Sequence, residues 1–115
     1  MAIRKYNDIE EIDVTMDGIS GVTKRIPISK PEGWKDYTLR VFKIKPGGNT
    51  PAHQHDWEHV NYIMAGRGKL MIDGTEYDVS KKDFALVPPN KKHQFRNPYD
   101  EDFEFICIVP NRGES

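Results

Sequence analysis

The sequence predicts one all-β domain, a sandwich or a barrel, and three observations support this fold class. The chain has 115 residues, which is a usual length for a single domain. No stretch places apolar residues at helical spacing over three turns, so long amphipathic helices are not expected. Short segments rich in β-forming residues alternate instead with proline and glycine turn signals, about every 8–12 residues, which is typical of sandwiches and barrels.

The N-terminal part of the chain is less regular than the rest. Residues 7–12 are predicted to form a single helical turn, and residues 19–28 are predicted to form one or two strands. The single domain, residues 1–115, is therefore divided into an N-terminal arm with edge strands, residues 1–36, and a barrel, residues 37–110. We expect the arm to lie over the barrel or over a partner.

Seven later segments are predicted strands: residues 37–45, 60–64, 69–72, 75–79, 84–87, 93–97 and 103–109. Asp73-Gly74 separates the third segment from the fourth and supplies the positive φ angles of a type I′ turn, so a tight hairpin is expected there. Pro46-Gly47-Gly48 is predicted to end the first segment as a turn, and Pro110 to end the last. Residues 84–87 have the pattern of a buried strand, and residues 111–115 are expected to fray.

Composition excludes several classes of partner. The net charge of −1 and the pI of about 6.4 give no electrostatic reason to expect nucleic acid or an anionic membrane. No apolar run approaches the ~20 residues of a membrane helix, and the first residues lack the apolar core of a signal peptide. The single cysteine, Cys107, excludes an internal disulfide and favours a cytoplasmic location.

Four histidines carry the functional signal, and they are grouped rather than scattered. His53 and His55 are two residues apart in an extended segment, so both rings are expected on the same face. His59 follows a short stretch that can bend, and His93 begins another predicted strand. Because neutral imidazole is the commonest side-chain ligand of transition metals, these rings predict a metal site in the barrel interior, where water is excluded.

Two spaced motifs contain these histidines. Gly47, His53, His55 and Gly66 match Gly-x5-His-x-His-x3,4-Glu-x6-Gly, with His59 at the glutamate position. Pro88, His93 and Asn97 match Gly-x5-Pro-x-Gly-x2-His-x3-Asn, with Lys82 and Asn90 at the two glycine positions. Asparagine tolerates a left-handed backbone nearly as well as glycine does. Together the motifs resemble those of the cupin superfamily, and the resemblance covers about residues 37–110.

The resemblance implies a fold, a cofactor and an assembly. Cupins fold as a double-stranded β-helix, a jelly-roll barrel that holds a metal toward one mouth, and small cupins are commonly homodimers. With its histidine in place of glutamate, the chain resembles small single-domain cupins that bind a metal through four histidines, here His53, His55, His59 and His93. One divalent transition metal ion per chain is therefore expected, manganese or iron before copper, nickel or zinc.

The residues next to these histidines leave two alternatives open. A one-residue shift or a bulge would put Glu58 on the metal and His59 outside, although the spacing to His55 and Gly66 fits His59 without an insertion. Trp57 lies in the same bend, where it is either a lid over the mouth of the cavity or a packing residue. The sequence favours His59 as the ligand and does not separate the two roles of Trp57.

Three further side chains are candidates for contact with a substrate. Alternation along residues 103–109 puts Phe105 and Cys107 on the face without charge, which is the expected barrel interior. Cys107 is either a small buried residue or a group that lines the cavity near the metal. Asn61 shares a face with His59 and needs a polar partner there, either in the protein or in a substrate. Asn61, Phe105 and Cys107 are thus the predicted substrate-binding residues.

The charge of the site indicates the class of ligand. Four neutral imidazoles leave a divalent ion its full +2 charge, and the side chains assigned to the cavity are apolar or neutral. A small anionic or chelating molecule would offset this charge. Two open positions on a six-coordinate ion would take O₂ or a bidentate substrate, and because cupin enzymes include dioxygenases, the resemblance implies a metal-dependent enzyme, a dioxygenase-like oxidoreductase. The alternatives are a non-catalytic cupin that binds or senses a small ligand, and a barrel with an adventitious metal.

Overall fold

The computed structural model describes residues 1–114. The strands within this range are β1 Ile12–Asp13, β2 Ser20–Ile28, β3 Tyr37–Asn49, β4 His59–Ala65, β5 Arg67–Ile72, β6 Thr75–Ser80, β7 Phe84–Val87, β8 His93–Arg96 and β9 Phe103–Pro110. Single turns of 3-10 helix lie at Tyr6–Asp8, Lys30–Glu32 and Asn111–Gly113. Over the same residues, no helix has the length and apolar character needed to cross a bilayer.

The strands form one antiparallel sheet that curls around an apolar core. Along the sheet the order is β6-β5-β8-β3-β9-β4-β7, with β2 paired to β3 and β1 paired to β2. Alternate residues of β9 face inward as the sequence predicts, so Phe103, Phe105, Cys107 and Val109 are buried. The other strands complete the core with Val22, Ile44, Ile63, Leu70, Val79, Val87 and Phe95. The predicted all-β class is confirmed.

Strand β3 continues through Pro46-Gly47-Gly48, so the turn predicted to end it there is wrong. Gly47 has a φ of 81°, a conformation that L side chains rarely adopt, and its N–H donates to the carbonyl of Asn97 at 2.7 Å. The resulting kink lets β3 leave β9 at Ile44 and pair with β8 at Asn49. One long strand thereby joins the two sides of the curled sheet.

Backbone angles agree with the turn and motif residues. Asp73 and Gly74 have φ values of 48° and 83°, so the predicted hairpin between β5 and β6 is confirmed. Lys82 and Asn90 have φ values of 78° and 63°. These two positions are where the second motif carries glycine, and the left-handed backbone there explains why glycine suits them.

Strand β7 has only one buried face, so the prediction of a buried strand is wrong for half of its residues. Val87 is completely buried, whereas Phe84 is 76% exposed and Leu86 is 61% exposed. The strand lies at the end of the sheet, and among residues 1–114 it pairs with β4 alone. Alternation therefore points Phe84 and Leu86 away from the core.

The N-terminal segment packs on its own barrel. The predicted helical turn is a shorter 3-10 turn, at Tyr6–Asp8, without a side-chain cap. The Tyr6 hydroxyl donates to the Glu104 carboxylate on β9 and accepts a hydrogen bond from Arg25 Nη1 at 2.7 Å. Ile9 is buried beneath the same segment. The segment therefore contacts its own barrel through Tyr6 and Ile9.

The C-terminal segment, residues 111–114, is held to the barrel and is not frayed as expected. Asn111 Nδ2 donates to the Lys35 carbonyl at 2.6 Å, and Asn111 Oδ1 accepts from Thr38 Oγ1 at 2.9 Å. Ser115 lies outside the described residues. The segment begins directly after β9. The hydrogen bonds of Asn111 therefore fix the positions of the side chains of residues 112–114 relative to the barrel.

Candidate metal centre

The barrel encloses a cavity of about 450 Å³, a volume within the usual range of small-molecule sites. Imidazoles, charged groups and apolar or aromatic groups are prominent among the side chains that line it. The imidazoles are His53, His55, His59 and His93; the charged side chains are Lys24, Arg40, Arg112 and Glu114; the apolar and aromatic ones include Val22, Phe42, Trp57, Phe95, Phe105 and Cys107. The cavity therefore brings all four histidines together.

Backbone pairing positions three of the histidines. His53 and His93 form an antiparallel bridge, with N–H···O distances of 3.1 Å and 2.8 Å in the two directions, so their side chains share a face. His55 lies two residues further along and points the same way. Ring nitrogens of His53, His55 and His93 all lie within 4.8 Å of one another, which is the arrangement of a possible metal site.

His59 approaches the same space from β4. Its side chain is buried, and its Nε2 lies 3.2 Å from Nε2 of His93. The ring centroid of His59 is 4.9 Å from that of His93 and 5.7 Å from that of His55. His59 does not belong to the group of nitrogens that are mutually within 4.8 Å. His59 therefore lies at one side of the three-histidine group, and its Nε2 approaches the group at His93.

Oxygen acceptors fix which nitrogen of each ring carries the proton. Nδ1 of His93 donates to the Lys91 carbonyl at 2.9 Å, and Nδ1 of His55 donates to the Trp57 carbonyl at 3.1 Å. A carbonyl oxygen cannot donate, so the proton of each neutral ring is on Nδ1. The unprotonated Nε2 of each ring is then available to a metal.

The side-chain amide of Asn61 places the proton of the His59 ring on Nδ1. Its Nδ2 donates to the Ile106 carbonyl at 3.2 Å, which leaves Oδ1 to accept the Nδ1–H of His59 at 2.7 Å. Asn61 is completely buried and is absent from the cavity lining. Its amide orients a histidine, so the expected contact with a substrate finds no support in its position.

The facing nitrogens of His59 and His93 fit a shared cation. With both protons on Nδ1, two Nε2 lone pairs oppose each other at 3.2 Å, and no hydrogen bond can form between them. Two imidazole nitrogens that each lie about 2.0–2.1 Å from one metal ion stand roughly 2.8–3.4 Å apart in octahedral or tetrahedral geometry. The observed separation lies inside that interval, so the donor set fits a metal.

Removal from water favours the neutral form of the imidazoles, of which His59 and His93 are buried, His55 is half-buried and His53 is more exposed. Removal from water lowers the pKa of His59 to about 3, and the positive charge that His93 would carry adds to the effect. The pKa values of His53, His55 and His93 are lowered too, with removal from water as the first cause in each. At neutral pH the rings are therefore in the form that binds metals.

Trp57 is a packing residue that also lines the cavity. Its ring stacks on that of His55, with centroids 4.3 Å apart and planes within 5°. Gly113 lies against its other atoms, since a Cβ at Gly113 would be 2.8 Å from Trp57 Nε1. The C-terminal segment and His55 thus enclose the indole, which fixes one wall of the cavity.

The remaining predicted residues divide between the cavity and the surface. Phe105 and Cys107 line the cavity. Burial raises the pKa of the Cys107 thiol, and Arg40 Nη2 donates to its sulfur at 3.0 Å. Glu58, the alternative ligand, is exposed and does not line the cavity.

Sequence reasoning missed the charged side chains of the cavity, so the expectation of a neutral lining is wrong. Arg40 lies opposite Cys107 in the register of β3 and β9, and Lys24 lies opposite Phe42 in that of β2 and β3. Glu114 comes from the C-terminal segment. Alternation along residues 38–44 would have put Arg40 on the inward face, and that signal was available in the sequence.

The fold is a small antiparallel β-barrel, and its imidazoles converge inside one cavity. These two features are typical of the class of β-barrel proteins that bind a ligand inside the barrel. A family model described as "Cupin domain" matches residues 40–109. The chain belongs to the cupin family. The resemblance of its two motifs and the predicted jelly-roll fold are thereby confirmed.

Two curated proteins illustrate the similarity. Over 71 residues the chain is 37% identical to 1-methylthio-D-xylulose 5-phosphate methylsulfurylase of Rhodospirillum rubrum, covering 62% of this chain and 46% of that protein. Over 116 residues it is 25% identical to auxin-binding protein 1 of Arabidopsis thaliana, covering 93% of this chain and 58% of that protein. The chain thus spans about half the length of these relatives.

A solved structure extends the likeness over nearly the whole chain. The polyketide cyclase RemF from Streptomyces resistomycificus superposes with a TM-score of 0.90 at 27% identity, covering 96% of this chain and 79% of that chain. The curled sheet described above is therefore that of a cupin barrel.

Proposed function

We propose that this chain is a metal-dependent cupin that acts on a small anionic or chelating molecule, as a dioxygenase-like oxidoreductase. The observation that carries the metal site is the 3.2 Å approach of two Nε2 atoms whose protons are held elsewhere. The names of its relatives, a 5-phosphate ester methylsulfurylase and an auxin-binding protein, support a small molecule as ligand.

The composition of the chain supports two further parts of the proposal. Its net charge of −1 argues against nucleic acid as a partner. Its free, buried Cys107 favours the reducing cytoplasm as its location.

The proposed ligands are His53, His55, His59 and His93, around one divalent ion per chain, with manganese or iron favoured over copper, nickel or zinc. His59 is preferred to Glu58 because it lines the cavity and Glu58 does not. A bound divalent ion would supply Lewis acidity and open coordination positions next to the cavity. The four-histidine set adds no negative charge, so the site as a whole favours an anion.

The chain's own residues would position the ligand and exclude water. Phe95 and Phe105 stack with centroids 4.2 Å apart and give the cavity an apolar wall. Cys107, which stays a thiol because burial raises its pKa, would contact the ligand beside Phe105. Asn61 would act through His59 by holding the ring in the tautomer that leaves Nε2 unprotonated.

The second candidate is a non-catalytic cupin that binds or senses a small ligand through its metal. The similarity to auxin-binding protein 1, which extends over 93% of this chain, favours it. Both candidates need the metal and the cavity, and they differ only in whether the ligand is changed.

Turnover under oxygen separates the two candidates. The full chain loaded with Mn²⁺ or Fe²⁺ would be incubated with a panel of small carboxylates and phosphate esters, in air and without oxygen. Oxygen uptake together with loss of the added compound supports the enzyme, and the metal-free chain is the control. Recovery of the compound unchanged and tightly held supports the binding protein. A metal that binds below one per chain and alters neither property would overturn both.

We also propose that the chain forms a homodimer through the outer face of β7 and β4. Cross-strand pairs align uncharged side chains there, Val60 with Leu86 and Tyr62 with Phe84, and Ile108 and Ile106 of β9 continue the two rows. Phe84, Leu86 and Val60 are exposed. A two-fold interface places each surface against a copy of itself, so a face without charge is suited to a second copy of this chain.

Leu86→Glu is expected to convert the dimer to a monomer. The substitution puts two carboxylates close to the two-fold axis and buries them without partners, which an apolar interface does not tolerate. Sedimentation equilibrium should give twice 13.3 kDa for the wild type and 13.3 kDa for the variant. Tyr77→Glu, at an exposed position on β6, is the matched control and should remain dimeric. A monomeric wild type or a dimeric Leu86→Glu chain would refute this interface.

A further inference from the structure

We propose that Arg40 and Lys24 form an anion subsite inside the cavity, which the Glu114 carboxylate occupies in the absence of ligand. A small carboxylate or phosphate would take the subsite by displacing Glu114. The identity of that anion as the substrate rests on the proposed function, whereas the subsite itself depends only on residues of this chain.

Glu114 bridges the two cations. Its Oε2 lies 2.5 Å from Lys24 Nζ and its Oε1 lies 3.3 Å from Arg40 Nη1. The three side chains are between 14% and 23% exposed, so the ion pairs are largely withdrawn from solvent. One carboxylate thus faces two cations, and the cluster keeps an excess positive charge inside the cavity. Such an excess in a partly desolvated site favours a second anionic charge.

Arg40 has hydrogen-bonding capacity that the chain does not use. Its Nη2 donates to Cys107 Sγ at 3.0 Å, and its Nη1 pairs with Glu114. Its Nε is buried and has no partner among residues 1–114. A buried donor without an acceptor costs free energy, and a guanidinium binds planar carboxylates and phosphates through two donors at once. An oxyanion from a ligand would supply the acceptors.

The subsite and the metal centre are linked by one row of the sheet. Arg40 lies opposite Cys107, and Cys107 lies opposite Asn61, whose amide holds His59. A ligand in the cavity could therefore place one group near the imidazoles and an anionic group on Arg40.

The carboxylate of Glu114 is delivered by a short tether. Asn111 is anchored through both polar atoms of its side chain, and the N–H of Glu114 donates to the Asn111 carbonyl at 3.1 Å. Displacement of Glu114 therefore needs movement of the described residues that follow Asn111, while β9 and Asn111 stay in place. An internal carboxylate on such a tether competes with any external anion.

Anion binding to the metal-free full chain tests the subsite without involving the metal. Inorganic phosphate and malonate are the probes, titrated by calorimetry, and the uncharged malonamide controls for shape. Glu114→Gln removes the competing charge and should tighten binding of a probe about tenfold. Glu76→Gln is the matched control, because Glu76 pairs with Arg96 at 2.7 Å outside the cavity lining and should bind like the wild type.

Removal of the positive charge of Arg40 or of Lys24 should weaken binding of the probe. Arg40→Gln and Lys24→Gln should each weaken probe binding by at least about tenfold, and thermal unfolding shows that the variants are folded. If Arg40→Gln does not fold, Lys24→Gln decides alone. Tightening for phosphate only, or for malonate only, assigns the anion class. Equal affinities in wild type and Glu114→Gln, or equal binding of malonamide, would overturn the subsite.

Metal content measured on the same samples keeps this inference distinct from the proposed function. Chains that bind one metal ion but respond to none of these variants contradict the subsite and leave the metal centre standing. Chains that show the expected anion affinities but bind no metal contradict the proposed function and leave the subsite standing.

Discussion

Substitution of His93 by alanine is expected to abolish stoichiometric metal binding. The His93 ring lies near each of the other three, with centroids 4.7 Å, 4.9 Å and 4.9 Å from those of His53, His55 and His59. Its loss removes one ligand and the partner of His59 Nε2. Losing a hydrogen bond to a ligand costs about 10–100-fold in metal affinity, so loss of the ligand itself should exceed a hundredfold.

Elemental analysis after equilibration with Mn²⁺ or Fe²⁺ and gel filtration measures this effect. The neighbouring pair His59→Ala and Glu58→Ala tests which residue of the bend is the ligand, because the two changes are adjacent in sequence and differ in access to the cavity. We expect His59→Ala to lose the metal and Glu58→Ala to keep one ion per chain. Retention of one ion by His93→Ala, or its loss from Glu58→Ala alone, would contradict the ligand set.

Only part of the histidine cluster follows from short-range determinants, and the approach of His59 and His93 to it was expected from the resemblance of the two motifs. Two residues of spacing in a strand put His53 and His55 on one face whatever the rest of the chain does. The left-handed backbone at Asp73-Gly74 and at Asn90 is also local, and glycine or asparagine marks these positions in the sequence. Such features survive any error in the assignment of distant strands.

The charged part of the cavity depends on long-range pairing, and sequence reasoning did not reach it. Lys24 joins the site only through the register of β2 with β3. Glu114 joins it only because Asn111 fixes the segment after β9. A one-residue shift in the register of β2 with β3 would turn Lys24 away from the cavity. The exposure of Phe84 also depends on long-range pairing. Four apolar residues do not indicate whether their strand lies at the edge or in the middle of the sheet.

Acid is expected to destabilise the metal-free chain, beginning near pH 6.5. An unfolded histidine protonates near ~6.5, whereas burial holds the pKa of His59 at about 3 in the fold. Between these values the unfolded chain binds one more proton than the folded chain. The free energy of unfolding therefore falls as pH falls, by about 1.4 kcal/mol per pH unit for one such group. The contribution is fully present above the unfolded pKa.

His59→Gln isolates this contribution. Carboxylates with lowered pKa values, Glu11 among them, also lose stabilisation in acid, but they do so equally in both chains. Urea unfolding of the metal-free proteins at several pH values between 4 and 7 should give a shallower pH dependence for the variant, by up to about 1.4 kcal/mol per unit. Identical slopes would show that His59 is not held neutral in the fold.

The same titration distinguishes two origins of acid-induced metal loss. If free-histidine behaviour governed the site, metal would leave as soon as pH fell below about 6.5. Because the folded rings resist protonation, release should instead follow unfolding of the chain, and loss of metal and loss of structure should occur at the same pH. Metal release from a chain that circular dichroism shows to be still folded would mean that the imidazoles titrate independently, and that burial does not keep them neutral.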